Sequence, residues 1–560
     1  MPRFRALACL PALMVAGCVS TPPAPPARTA APLKVDVPAI ARPAGETVAW
    51  WYRDGAAQAA ARGAMDGRAR NVIVFVGDGM SLTTVAAARI LAGQRAGGPG
   101  EEHRLAWERF DATALSKTYN TNAQTPDSAG TMTAIASGYK TRAGVLGVGP
   151  QVRRGDCDAA LRDPRRATLW QLAAAEGLAT GLVTTTRITH ATPAATFAHL
   201  PERNWEHDGQ LTPEARAAGC VDLARQLVES GPLPQVVLGG GRAMFMPATQ
   251  QDPEHRARSG QRQDGRDLVA AWRARSPGGT YAWNAAQLAA APVDGPLLGL
   301  FEPSHMLYEH DRAGDVAGEP SLAEMTRAAI ARLSRDSDGY VLLVEAGRID
   351  HAHHQGNAHR ALVDTLALSD AVEAAMAMAG DDTLVLVTAD HSHTLTFAGY
   401  PARGNPILGK VRGGSGEDIA SATLARDALG LPYTTLGYAN GPGYTGASAQ
   451  QPGGVKRFEH AGAGFRAARL GRPDLTDVDT THPDFMQEAT VPLSNETHGG
   501  EDVGVWATGP GSAAVRGSIE QNAIHHLILQ AMPTLRAAMC RRGLCDANGV
   551  PVEPALLPAR

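Results

Sequence analysis

Short apolar, β-branched runs recur along most of this chain, and their recurrence limits what it can fold into. They stand at NVIVFVG (71–77), GLVTTT (181–186), QVVLGG (235–240), LLGLF (297–301), YVLLVEA (340–346), TLVLVTA (383–389) and VGVWATG (503–509). Segments with helical spacing of apolar residues lie among them, at 128–138, 168–177, 214–230, 321–335 and 359–379. This alternation predicts one α/β domain around a largely parallel central sheet. Open sheets of that kind build their sites outside the carboxyl ends of the strands.

Those ends carry one kind of chemistry. VEAGRIDHAHHQGNAH (344–359) places Glu345, Asp350, His351, His353, His354 and His359 just past a strand. Asp78 stands between two glycines after 71–77, and Asp390 and His391 are adjacent after 383–389. His498 precedes the last run in SNETHGGEDVGVW. A turn, a helix cap or a solvated loop accounts for any one of them; it does not account for four strand ends with the same donors. Carboxylate and imidazole without thiolate suit zinc and magnesium. In TPDSAGTMTAIASG (125–138), Ser128 opens a helix-compatible segment. Asp127 or Ser128 there is an ordinary cap, but a serine at a helix N-terminus beside a divalent cation is also a candidate nucleophile. Arg203, in LPERNWEH, offers the planar fork that fits two phosphate oxygens.

The 560 residues carry 52 basic and 56 acidic side chains, a formal charge of −4, with no basic block, which argues against nucleic acid as a partner. MPRFRALACLPALMVAGC has a positive start and an apolar stretch too short to span a membrane, and reads as an export signal. MVAGC is similar to a bacterial lipobox with Cys18 as the lipidated residue; an ordinary signal peptide cut nearby is the alternative. The predicted organisation is a signal peptide at 1–17, a Pro/Ala-rich tether at 18–45, the α/β domain at 46–395 and 498–548, and an insertion at 396–497 where the alternation loosens. Once Cys9 and Cys18 are set aside four cysteines remain, an even number that suggests disulfides in an exported chain. Cys540 and Cys545 can close a small loop, leaving Cys157 with Cys220.

VGDGMS, LSKTYNTNAQTPDSAGT, TTTRITHATPAATFAH, ERNW, LFEPSHMLYEH, VEAGRIDHAHH, VTADHSH and ETHGGEDVGVWATGPGS together resemble the alkaline phosphatases, the animal-type branch above all, in the family's order from about 47 to 545. The resemblance implies a three-layer α/β sandwich with a crown-like insertion, and hydrolysis of a broad range of phosphate monoesters through a phosphoserine on Ser128. It implies two zinc ions and one magnesium per chain. Asp350, His354 and His498 correspond to the ligands of the first zinc, and Asp78, Asp390 and His391 to those of the second. Asp78, Glu345 and Thr192 correspond to the magnesium ligands, with His190 reaching that ion through water. Arg203 would hold phosphate with His351 behind it, while His353 and His359 match no ligand role.

The resemblance also implies a homodimer, to which the insertion contributes, and a structural calcium held by Glu254, the Phe301 carbonyl, Glu302 and Glu319. Glu319 stands where the family motif has aspartate, and exposed surface charge is the alternative for these glutamates. Two rival functions are a related phosphodiesterase or phosphonate monoester hydrolase, and an inactive membrane-anchored binding lipoprotein. The sulfatase C-x-P-x-R motif is absent, and every expected ligand is present.

Overall fold

The computed structural model describes residues 32–413, 416, 418–446, 454, 455, 457, 458 and 472–558. All seven apolar runs are strands of a ten-stranded sheet. The strands are β1 (Asn71–Gly77), β2 (Ala112–Lys117), β3 (Ala179–Arg187), β4 (Val236–Gly240), β5 (Thr280–Ala282), β6 (Leu297–Leu300), β7 (Tyr340–Ala346), β8 (Thr383–Ala389), β9 (Val503–Thr508) and β10 (Gly517–Glu520). Their order is β10-β2-β9-β8-β1-β7-β3-β4-β6-β5. Pairing is parallel except at β9, which runs antiparallel to β2 and β8.

Side chains of the central strands alternate between two cores, as the pleat demands. Val72, Val74 and Val76 enter one core, Ile73 and Phe75 the other; Val341 and Leu343 oppose Leu342 and Val344 in the same way. Helices Val48–Ala61 and Ala523–Ala531 cover the first face. Helices Leu322–Leu333 and Ala358–Met376 cover the second. Each such fully buried aliphatic side chain stabilises the sandwich by about 1.5–3 kcal/mol. Burial on both faces is why these strands read as continuous apolar runs.

Strands β2, β5 and β10 have no such run, because they lie at or next to the ends of the sheet. β2 is buried on alternate residues only, exposing Thr113, Leu115 and Lys117. The single helix expected at 214–230 is two, Pro213–Ala218 and Leu223–Glu229. Gly219, at φ 94°, ends the first in the left-handed region, and Asp222 caps the second.

Strands Leu395–Phe397, Leu436–Gly441 and Ala489–Pro492 form a separate small sheet around the expected insertion. Disulfides join Cys157 to Cys220 and Cys540 to Cys545, as expected. Cys18 and the signal segment lie outside the described residues. Residues 33–45, read as the end of the tether, are laid onto the domain: Val35 packs with Val550 and Val552, and Trp50 Nε1 donates to the Pro38 carbonyl at 2.9 Å. The domain also continues past 548, where Ala167 N–H donates to the Ala555 carbonyl at 2.8 Å.

Candidate active site

Strands β8, β1, β7 and β3 are consecutive and parallel, so their carboxyl ends meet. Asp390 and His391 leave β8, Asp78 leaves β1, Glu345 closes β7, and His190 and Thr192 follow β3. The turn after β1 is tight. Gly79 has φ 67° and donates its N–H to Asp390 Oδ1 at 3.1 Å. A Cβ there would stand 2.2 Å from the His393 ring, so glycine is required twice over.

Ser128 begins helix Ser128–Ser137, and Asp127 is its cap. Asp127 Oδ1 accepts from the N–H groups of Gly130 (3.2 Å) and Gly144 (2.8 Å), while Oδ2 accepts from Arg203 Nη1 at 3.1 Å. Capping therefore falls to Asp127, which also holds the arginine. Ser128 Oγ faces the cluster, 3.1 Å from His391 Nε2 and 3.4 Å from Asp78 Oδ1.

The first expected ligand set closes on a point. His498 Nε2 lies 3.1 Å from His354 Nε2, and Asp350 Oδ1 lies 3.3 and 3.4 Å from those two nitrogens. Zinc–nitrogen and zinc–oxygen bonds of about 2.0–2.2 Å in a tetrahedron separate donor atoms by roughly this much. His354 Nδ1 donates to the Glu496 carbonyl at 2.5 Å and His498 Nδ1 to the Pro126 carbonyl at 2.7 Å. With each proton committed to Nδ1, both Nε2 atoms present lone pairs to the same place. Two lone pairs so close call for a cation between them.

The second set is similar. His391 Nε2 is 3.4 Å from Asp78 Oδ1 and 3.4 Å from Asp390 Oδ2, and its ring stacks on His498 at 3.6 Å. The third is oxygen-rich. Asp78, His190 and Glu345 offer donor atoms within 4.8 Å of one another. Asp78 Oδ2, Thr192 Oγ1, Glu345 Oε1 and His190 Nδ1 are buried without any protein partner. A buried polar atom left unpaired is costly, and here four of them come from the expected magnesium set.

Charge differs across the cluster. Burial raises Asp78 well above the usual carboxylate range, and Asp390, Asp350 and Glu345 add to it. Burial likewise pushes Glu345 up to about 7, although Thr184 and Thr186 donate to it. Asp350 resists: burial works against its charge, but His393, which donates to it at 2.7 Å, helps hold it well below the ordinary value.

His393 was missed in the sequence, where it follows DHS as one more polar residue. It lies between Asp350 (2.7 Å) and Glu496 (2.5 Å), and despite burial these carboxylates raise it to about 10, so it is an imidazolium. Glu496 also accepts from Thr394 N–H and Oγ1, which fixes it. His353 is held by Thr84 (3.0 Å) and Tyr438 (2.8 Å), and His359 stands against His310 with both ring nitrogens buried and without a hydrogen-bond partner. His351 lies in a ring cluster with His305 (4.2 Å) and His190 (5.5 Å), with Arg348 at its Nδ1. Arg203 Nη2 bonds His190 Nε2 at 2.9 Å.

A separate cluster has donor atoms of Glu254, His255 and Glu302 within 4.8 Å of one another, with Glu302 acting on the charge of Glu319; these glutamates are buried, not exposed surface charges: the Glu254 side chain is 1% exposed, and Glu302 and Glu319 are 6% and 3% exposed. Phe301 lies beside them at the end of β6.

A family model described as alkaline phosphatase matches residues 69–534. The chain is 43% identical over 498 residues to the tissue-nonspecific isozyme of alkaline phosphatase from Gallus gallus, covering 87% of this chain and 88% of that one. It is 43% identical over 471 residues to a membrane-bound alkaline phosphatase of Bombyx mori, covering 82% and 79%. The solved alkaline phosphatase of Thermus thermophilus matches the fold with a TM-score of 0.57 at 27% identity, over 84% of this chain and 92% of that one. With the strand-end geometry these matches reach one conclusion: the chain belongs to the alkaline phosphatase family, the metal-dependent hydrolases of phosphate monoesters.

Proposed function

We propose that hydrolysis proceeds in two displacements through a phosphoserine at Ser128, and that Arg203 holds the phosphoryl group. The observation that carries this reading is Ser128 Oγ at a helix N-terminus, 3.1 Å from His391 Nε2 and beside an arginine already braced by Asp127. The donor sets fit two zinc ions, at Asp350, His354 and His498 and at Asp78, Asp390 and His391. They fit one magnesium at Asp78, Thr192 and Glu345, with His190 reaching it through water. When bound, these ions would supply Lewis acidity at the attacking and leaving oxygens and offset the negative charge on the phosphoryl oxygens.

Ser128 Oγ bonds to phosphorus in line as the bond to the alcohol oxygen breaks, and the proton that Ser128 loses ends on the departing alcohol. The Arg203 fork holds two non-bridging oxygens, and the free N–H groups at the helix start face the same charge. Water then attacks from the face the alcohol left, breaking the phosphoserine bond and returning the proton to Ser128. Two inversions give net retention at phosphorus. His351 stands behind the phosphate site with Arg348. None of these groups reads the alcohol, so a broad range of monoesters fits. Acid quenching during turnover tests the reading: phosphate should be recovered on the Ser128 peptide, and recovery on another residue or on none overturns it. Phenyl phosphate should be hydrolysed far faster than the matching diester, which separates the enzyme from a related phosphodiesterase or phosphonate monoester hydrolase.

Export and lipid anchoring through Cys18 are supported by the N-terminal sequence, and among the described residues no helix is long and apolar enough to cross a membrane. Cys18→Ser should release the protein from the membrane fraction. A homodimer is supported by exposed apolar side chains around the insertion, among them Phe397, Tyr400, Leu429, Val491 and Leu493; sedimentation as a 58.5 kDa species would refute it. A structural calcium is supported at Glu254, the Phe301 carbonyl, Glu302 and Glu319, because Glu254 Oε1 and Glu319 Oε2 are buried with no protein partner.

A further inference from the structure

The calcium reading rests on three carboxylates, and the fold brings a fourth. Asp315 follows the short helical turn Arg312–Gly314, and its carboxylate comes within hydrogen-bonding range of Glu254. Both groups are acceptors when ionised, so a proton or a cation has to lie between them. Asp315 Oδ2 is itself buried with no protein partner, like Glu254 Oε1 and Glu319 Oε2. The Glu254 side chain is 1% exposed and Glu319 is 3% exposed, so these oxygens have no free access to water. Glu319 Oε1 is already taken by the Leu307 N–H at 2.8 Å, which turns the other oxygen toward the cluster.

Nearby cations do not settle the charge. Arg242 is bound through two nitrogens to Asp252 (2.8 Å each) and touches Glu254 Oε2 at 2.9 Å. Arg312 is bound through two nitrogens to Glu309, and Arg258 acts on Glu302 only at a distance. His255 Nε2 stands 3.6 Å from Glu302 and 3.8 Å from Glu254. With Arg242 matched by Asp252, four carboxylates remain.

We infer that Asp315 is a ligand of the fourth cation and that through it the cation fastens the 309–319 loop to the end of β6. The inference rests on the calcium reading above. Four carboxylates and the Phe301 carbonyl approach the six to eight oxygens calcium takes, whereas magnesium keeps its waters and fits such a cage poorly. The loop it fastens contains Arg312, a half-buried trypsin site, and Val316, which is 90% exposed.

The test uses the full protein saturated with zinc and magnesium, titrated with calcium by calorimetry, alongside Asp315→Asn and Glu319→Gln. The wild type should bind one calcium that Glu319→Gln loses, and Asp315→Asn should weaken it about tenfold or more, as removing ligand charge does in such sites. Calcium should slow tryptic cleavage after Arg312 in the wild type and not in Asp315→Asn. In chelator, Asp315→Asn should melt no lower than the wild type, because a repelling charge has gone. Wild-type calcium affinity in Asp315→Asn, with Glu319→Gln still defective, overturns the inference and leaves the site. A lower melting temperature for Asp315→Asn in chelator marks Asp315 as a structural group and also overturns it. No calcium binding by the wild type removes the calcium reading and the inference together.

Discussion

Asp350 and Glu345 are carboxylates buried five positions apart at the same strand end, and burial pushes both toward the protonated form. Asp350 stays charged because the His393 imidazolium donates to it. Glu345 has hydroxyl donors and acidic neighbours, and rises to about 7. The nitrogen-rich end of the site thus keeps its own anion ready, while the oxygen-rich end depends on a cation to displace its proton. On the proposed assignment the first end takes zinc and the second a hard ion.

Ser128→Ala separates chemistry from either end. Turnover should fall by roughly 10⁴–10⁶, as loss of a catalytic serine does elsewhere, while zinc and magnesium content by mass spectrometry stays at the wild-type level. Loss of metal in that variant would mean the serine belongs to one of the ion sites. Arg203→Ala should cost about 2–4 kcal/mol of transition-state stabilisation, read as kcat/KM. An unchanged value denies it contact with phosphate.

Glu496→Gln sharpens the contrast. It removes the partner that charges His393, so zinc affinity at the Asp350 end should fall about 10- to 100-fold, the usual effect of losing such support. Magnesium affinity should not move; an equal loss of both ions would show that the two ends are one unit. The smallest effect concerns pH. A carboxyl raised in the folded state favours the fold while protonated, so its contribution is full below the unfolded value of 4.5 and is lost as pH rises through about 7. Metal-stripped protein should therefore lose thermal stability over that range, and reloading zinc and magnesium should abolish the slope. Glu302 and Glu319, at about 8, extend the loss upward when calcium is absent.

The central strands were readable because burial on both faces writes a continuous apolar run, and the candidate ligands at their ends stood out because they follow such runs. β2 was not, since a strand beside the sheet end alternates Thr113, Leu115 and Lys117 with small residues. His393 and Glu496 lie 103 positions apart, and only the pairing of His498–Gly499 with Ser392–His393 brings their segments together. Asp315 did not stand out for a related reason: GDVAG reads as a solvated loop, and only the fold shows that one oxygen of this acid is buried without a partner.

Anomalous diffraction from crystals of the protein, measured on both sides of the zinc absorption edge, tests the division of the site most directly. Zinc signal should stand between Asp350, His354 and His498 and between Asp78, Asp390 and His391, with a light ion and no zinc signal among Asp78, Thr192 and Glu345. Zinc at all three positions, or none at the Asp350 end, would contradict the account.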